Sequence, residues 1–111
     1  MKVFHWLTSR FSKRRKAMFL YKQGMAKAKK HNRQGAIHDY TTMLGIPCTP
    51  AYLMAMVLYN RALVYVAAGD DRKGAIDLDA VLAMNEALWN VKTMARQELA
   101  RMQSRSSNSD V

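Results

Sequence analysis

The stretch Arg33-Gln34-Gly35-Ala36-Ile37 returns as Arg72-Lys73-Gly74-Ala75-Ile76, 39 residues further on, and this repetition decides the fold. Each copy stands between a long helix-periodic run and a shorter one. The long runs end at polar breaks, His31-Asn32 and Gly69-Asp70-Asp71. The short ones carry Tyr40, Met43 and Leu44, then Leu78, Val81 and Leu82, at helical spacing. Each unit therefore reads as helix, tight turn, helix.

The punctuation agrees with that reading. Asn32, and Asp70 or Asp71, can accept hydrogen bonds from the first unpaired N–H groups of the second helix in each unit. Gly69 supplies a left-handed stop for the helix before it. Between the units, Gly45-Ile46-Pro47-Cys48-Thr49-Pro50 breaks the chain; Thr49 is the expected N-cap, with Pro50 at the first helical position. A helix over 51–68 follows. Asn85 is expected to cap a last helix over 86–103, with Leu88, Val91, Ala95, Leu99 and Met102 on its apolar stripe. The polar run from Ser104 to Asp110 reads as a disordered tail. The pairs Asp70-Asp71 and Asp77-Asp79 read as acids favourable to a helix start.

Composition narrows the class. A chain of 111 residues, half apolar and 23% charged, suits one small folded domain. Five glycines and two prolines leave little room for the turns of an all-β fold. The net charge of +10 is unevenly spread: residues 1–33 hold 11 Lys or Arg and no acid, whereas 34–111 hold 7 basic and 8 acidic side chains. A neutral body carries a cationic front. One cysteine, Cys48, removes any intramolecular disulfide framework and any Cys-based zinc cluster. No apolar run reaches the length of a membrane span.

Together these features predict an all-α protein of about five helices. Residues 1–16 form a basic aromatic segment. Residues 17–103 form the helical domain, with units at 17–48 and 51–85 and a capping helix over 86–103 whose Arg96, Gln97 and Arg101 face water; 104–111 form the tail.

Within 17–103 the residues resemble the tetratricopeptide repeat family, whose pattern runs Trp-x2-Leu-Gly-x2-Tyr, then Ala-x3-Phe, then Pro. In the second unit Leu58, Arg61, Ala62, Tyr65, Gly74 and Leu78 fall on that pattern, with Glu86 in place of the proline; in the first, Leu20, Gln23, Gly24, Lys27, Ala36 and Tyr40 do. Small residues at Gly24, Ala36, Ala62 and Gly74 suit closely crossing helices. Lys27 replaces an aromatic residue, and Gln23 and Arg61 replace leucine. The alignment implies a 38-residue spacing rather than 39, because a shift to Ala75 would put Asp79 at an aromatic core position. The resemblance implies antiparallel hairpins stacked as a short right-handed superhelix. A generic five-helix bundle is the alternative.

The resemblance also implies that the first helices of successive units line a groove for a partner's peptide or helix. Its residues here are Met18, Tyr21, Met25 and Lys29 from the first unit, and Met56, Tyr59, Asn60, Leu63 and Val66 from the second. The surface is apolar and methionine-rich, which suits varied apolar partners. The same residues could instead pack against the N-terminal segment or across a homodimer. Of the Lys and Asn clamp with which some members grip a carboxy-terminal acidic peptide, Asn60 alone has a counterpart here.

The cationic front gives a second candidate. Phe4, Leu7 and Phe11 share one helical face, with Trp6 nearby and Lys2, Arg10, Lys13, Arg14, Arg15 and Lys16 around it; Lys22 extends the patch. Such a segment could lie on an anionic membrane or neutralise phosphates, although nucleic acid is disfavoured because no stacking or groove-reading motif accompanies the charge. These features predict a cytoplasmic protein, peripheral to a membrane if the front docks there. An acid-free, hydroxyl-bearing front also fits a mitochondrial presequence.

Chemistry of its own is not expected. His5, His31 and His38 lack metal-ligand spacing, no glycine-rich phosphate loop occurs, and Cys48 beside two prolines reads as a loop residue. The expected protein is a non-catalytic interaction module without cofactor or metal.

Overall fold

The computed structural model describes residues 2–85 and 87–109, with the side chains of 9–85 and 87–108. Among them are five helices and no strand: α1 Lys2–Lys29, α2 Arg33–Leu44, α3 Ala51–Ala67, α4 Asp71–Ala83 and α5 Trp89–Ser109. The tight turns fold α1 back on α2 and α3 back on α4; α2 then packs on α3, and α4 on α5. The first helices α1, α3 and α5 touch in succession, whereas α2 and α4 do not approach each other. The result is a stack of helical hairpins that opens on the α2–α4 side. A cleft there is lined by Ile37, His38 and Thr41 of α2 and by Tyr65 and Lys73 across from them.

The turns within the two hairpins are copies. In the first, His31 has φ 63°, and Asn32 N donates to Lys27 O at 2.8 Å. In the second, Gly69 has φ 87°, and Asp70 N donates to Tyr65 O at 2.8 Å. Asn32 Oδ1 accepts from Gly35 N and Asp70 Oδ1 from Lys73 N, both at 3.1 Å. Every equivalent pair lies 38 residues apart, so the visible Gly-Ala-Ile repetition at 39 is one residue out of structural register.

The core obeys the same translation. Ala17, Tyr40, Met43, Leu53, Val57 and Val64 bury one cluster; Ala55, Leu78, Val81, Val91, Ala95 and Met102, each 38 residues later, bury the other. Within each hairpin the helices cross on one glycine and one alanine. The first uses Gly24 and Ala36, the second Ala62 and Gly74, so the two types exchange places. A Cβ on Gly24 would lie 2.6 Å from Tyr40 Cε1, and one on Gly74 2.7 Å from Val66 Cγ2. Both distances are too short for carbon atoms, which fixes glycine at each crossing.

Buried carboxylates hold each crossing from the second helix. Asp39 and Asp77 are equivalent and almost fully buried. Asp77 is therefore not a helix-start acid: it lies mid-helix and receives Arg61 Nε at 2.8 Å and Nη2 at 2.7 Å. Lys27 Nζ lies 2.9 Å from Asp39 Oδ2, an oxygen that accepts no well-aligned hydrogen bond. The two cations are not equivalent in register. Tyr65 stands where Lys27 does, and the second hairpin takes its cation one turn earlier, from Arg61, whose guanidinium is 5.6 Å from the Tyr65 ring centre. Two departures from the repeat pattern, Lys27 and Arg61, are thus the cations of the buried pairs.

Several boundaries differ from expectation. The helix does not break at residue 16; no Gly or Pro interrupts 2–23, and α1 runs on as one rod of about 42 Å at 1.5 Å per residue. Pro50, not Thr49, is the N-cap residue of α3, because the Thr49 hydroxyl is spent on closing the loop, donating to Ile46 O at 3.0 Å. Neither Asn85 nor residue 86 begins α5. Met84 is extended, ψ 120°, and the helix starts only at Trp89, which leaves Leu88 51% exposed outside it. Residues 104–109, expected to be disordered, prolong α5: Gln103 and Ser106 line a cleft with Asp71 and Arg72 of α4, and the Ser107 hydroxyl donates to Gln103 O. Arg96, Gln97 and Arg101 are exposed as expected.

Candidate functional site

The groove residues come from two helices that the fold sets side by side. On α1, Met18 and Met25 are 37% and 38% exposed, Lys29 is exposed and Tyr21 half-buried; their spacing puts them on one stripe. On α3, Met56, Tyr59, Asn60 and Leu63 are half-buried. The two stripes meet where Asn60 Nδ2 donates to the Tyr21 hydroxyl at 2.9 Å, while also donating to Met56 O at 3.0 Å. Burial pushes the Tyr21 hydroxyl above its ordinary pKa, an effect that the Asn60 bond offsets in part. Val66 does not belong with this set: it packs toward Gly74 inside the second hairpin.

The 38-residue translation adds members that the sequence reading missed. Met18, Met56 and Met94 are equivalent, one on each first helix, so a methionine row crosses α1, α3 and α5. Tyr52, one turn before Met56, is 47% exposed. It shares a cavity of about 230 Å³ with Arg14, Arg15, Met18, Pro50 and Leu53. Extending the repeat register into the last helix would have found Met94.

The basic patch is continuous with this surface. Lys13, Arg14, Arg15, Lys16 and Lys22 are all exposed on α1, and Arg14 also lines a second cavity, of about 340 Å³, with Arg10, Phe11, Cys48 and Pro50. Phe11 is 62% exposed. The side chains of Lys2, Phe4, His5, Trp6 and Leu7 lie outside the described residues, as does Glu86. Because residues 2–16 prolong α1 instead of folding back, their backbone does not cover the methionine row.

Elsewhere the potential chemistry is dispersed. Among the described residues no three His, Cys, Asp or Glu side chains gather as metal ligands, and no helix is long and apolar enough to cross a membrane. Compared with known proteins, the chain matches no family model, no curated protein and no solved structure.

Proposed function

We propose that this chain is a non-catalytic, tetratricopeptide-like interaction module that receives an apolar peptide or helix of a partner protein across α1, α3 and α5. The observation that carries this reading is the row Met18, Met56 and Met94, partly open beside Tyr52 and bounded by Arg14 and Arg15. Flexible, polarizable thioethers adapt to varied apolar side chains. The two guanidinium groups at one end suit a partner whose apolar segment is flanked by acids. A homodimer that covers this surface, in a cytoplasmic setting, belongs to the same proposal.

A second reading rests on the N-terminal half of α1. Its exposed Phe11 and its Lys13–Lys16 cluster could hold the protein on an anionic membrane. At about 1 kcal/mol per basic residue near the surface, four such residues give roughly millimolar affinity, so insertion of aromatic side chains would have to supply the rest. Nucleic acid would profit from the same charge with less shape to read.

The experiment compares cross-linked partners of the wild type with those of Met18→Glu/Met25→Glu and of a variant with glutamine at 13–16. Loss confined to the methionine variant supports the groove. Loss confined to the charge variant supports the anionic surface, and an unchanged partner set refutes both.

A further inference from the structure

We propose that the outward face of α1, formed by Arg15, Phe19, Lys22 and Ala26, docks an acidic amphipathic helix of a partner protein. The repeat itself shows what this face is built to receive. Arg15, Phe19 and Ala26 are equivalent to Leu53, Val57 and Val64 of α3, and these to Val91, Ala95 and Met102 of α5. All six counterparts are buried, with Val57 and Ala95 at 0% exposure, because the second helix of the hairpin before, α2 or α4, packs on them. On α1 the same positions are exposed, Phe19 at 64%. A phenylalanine thus stands open to water at the position that the fold buries most completely on the other two first helices.

The occupant follows from shape and charge. Two equivalent faces of the same molecule each hold one α-helix, so the third has the curvature and spacing for a helix anchored at i and i+4. Arg15 and Lys22 flank Phe19 within a segment that holds no acid, so the helix it takes is acidic. A second copy packed on this face would set the cations Arg15 and Lys22 against the same two cations of its partner, which opposes self-association. A flat bilayer is the weaker match, since Phe19 is the one large apolar side chain among these four. This face lies beside the methionine row, and Arg15 borders both; Phe19, which the groove does not use, separates the two proposals.

The test is fluorescence anisotropy on the full chain. The probe is a labelled synthetic helix of about 18 residues, with Leu at i, i+4, i+7 and i+11 and Glu and Ala elsewhere; the control has the same composition with scrambled leucines. The wild type should bind the patterned peptide at least about tenfold more tightly than the scrambled one. Phe19→Asp, and separately Arg15→Glu/Lys22→Glu, should each weaken it by about tenfold or more, while Ile76→Gln, at an exposed apolar position on α4, leaves it unchanged. Because Phe19 is exposed, its replacement should preserve the helical circular dichroism. Equal affinity for the two peptides, or patterned-peptide binding that survives both α1-face variants, overturns the proposal. So does failure of the peptide alongside Phe19-dependent binding to phosphatidylserine vesicles or duplex DNA.

Discussion

Arg61 and Asp77 join α3 to α4 through two parallel hydrogen bonds, Nε to Oδ2 at 2.8 Å and Nη2 to Oδ1 at 2.7 Å, with the carboxylate side chain 4% exposed. The carboxylate holds the guanidinium above its ordinary pKa, against the opposing effect of burial. A planar fork of this kind is specific to arginine.

Removing one partner leaves the other charge buried. Arg61→Leu should cost about 3 to 5 kcal/mol of stability, and Arg61/Asp77→Leu/Leu much less than the sum of the single changes. Lys27→Met should cost less than Arg61→Leu, because Lys27 is 31% exposed and makes no aligned hydrogen bond to Asp39. Urea unfolding of the four variants measures the order; equal losses at the two sites would contradict it.

Gly24→Ala should destabilise by about 1 to 3 kcal/mol through overpacking, although alanine is the better helix former by about 1 kcal/mol. The added methyl meets the Tyr40 ring. Tyr40→Leu, which copies Leu78 in the second hairpin, should recover most of that loss in the double variant, as read by thermal melts.

Alkaline pH should weaken the fold through Tyr40, whose hydroxyl burial pushes up to about 12, helped by the charges of Tyr21 and Asp39. The unfolded chain gives up this proton near pH 10. Between about 10 and 12 the folded state therefore binds more protons than the unfolded one, and stability falls with rising pH by roughly 2 to 3 kcal/mol before levelling. Tyr40→Phe should flatten that part of the urea midpoint against pH curve, and an unaltered slope would show that another group carries it.

His31 occupies the left-handed position that Gly69 fills in the second turn. His31→Gly should stabilise by about 0.5 to 1 kcal/mol, the relief of side-chain strain exceeding the entropy cost. Gly69→His should do the reverse in the same calorimetric comparison.

Removing residues 86–111 takes α5 from a face that includes Leu78 and Val81, both 0% exposed. The truncated chain should lose its cooperative melt or aggregate, since a terminal unit needs a polar outer surface to stay in solution. A sharp transition in the truncated protein would refute this.

What the sequence makes legible is the local chemistry of turns. Asn32, Asp70 and Gly69 announce their roles because capping and left-handed stops depend on one residue and its immediate neighbours. His31 hides the same role because histidine seldom adopts that conformation. Long-range demands were harder to see. Asp77 looks like a surface acid until α3 brings Arg61 to it, and the serine-rich end of α5 reads as a tail because the residues with which it lines a cleft, Asp71 and Arg72, lie more than 30 positions away in the chain. The candidate groove residues were drawn from register alone; the same register extended to α5 points to Met94, whereas Tyr52 needed the inter-unit loop in place to set it beside Arg14 and Met18, and helical phase does not say that Val66 turns toward Gly74.

In this stack no helix touches another more than two places along the chain. Contacts of such short sequence separation form early and without the cost of closing large loops. They also confine fluctuations: amide exchange should grade outward from α3, the one helix in contact with all four others, so that either end can open and close while the opposite hairpin stays shut.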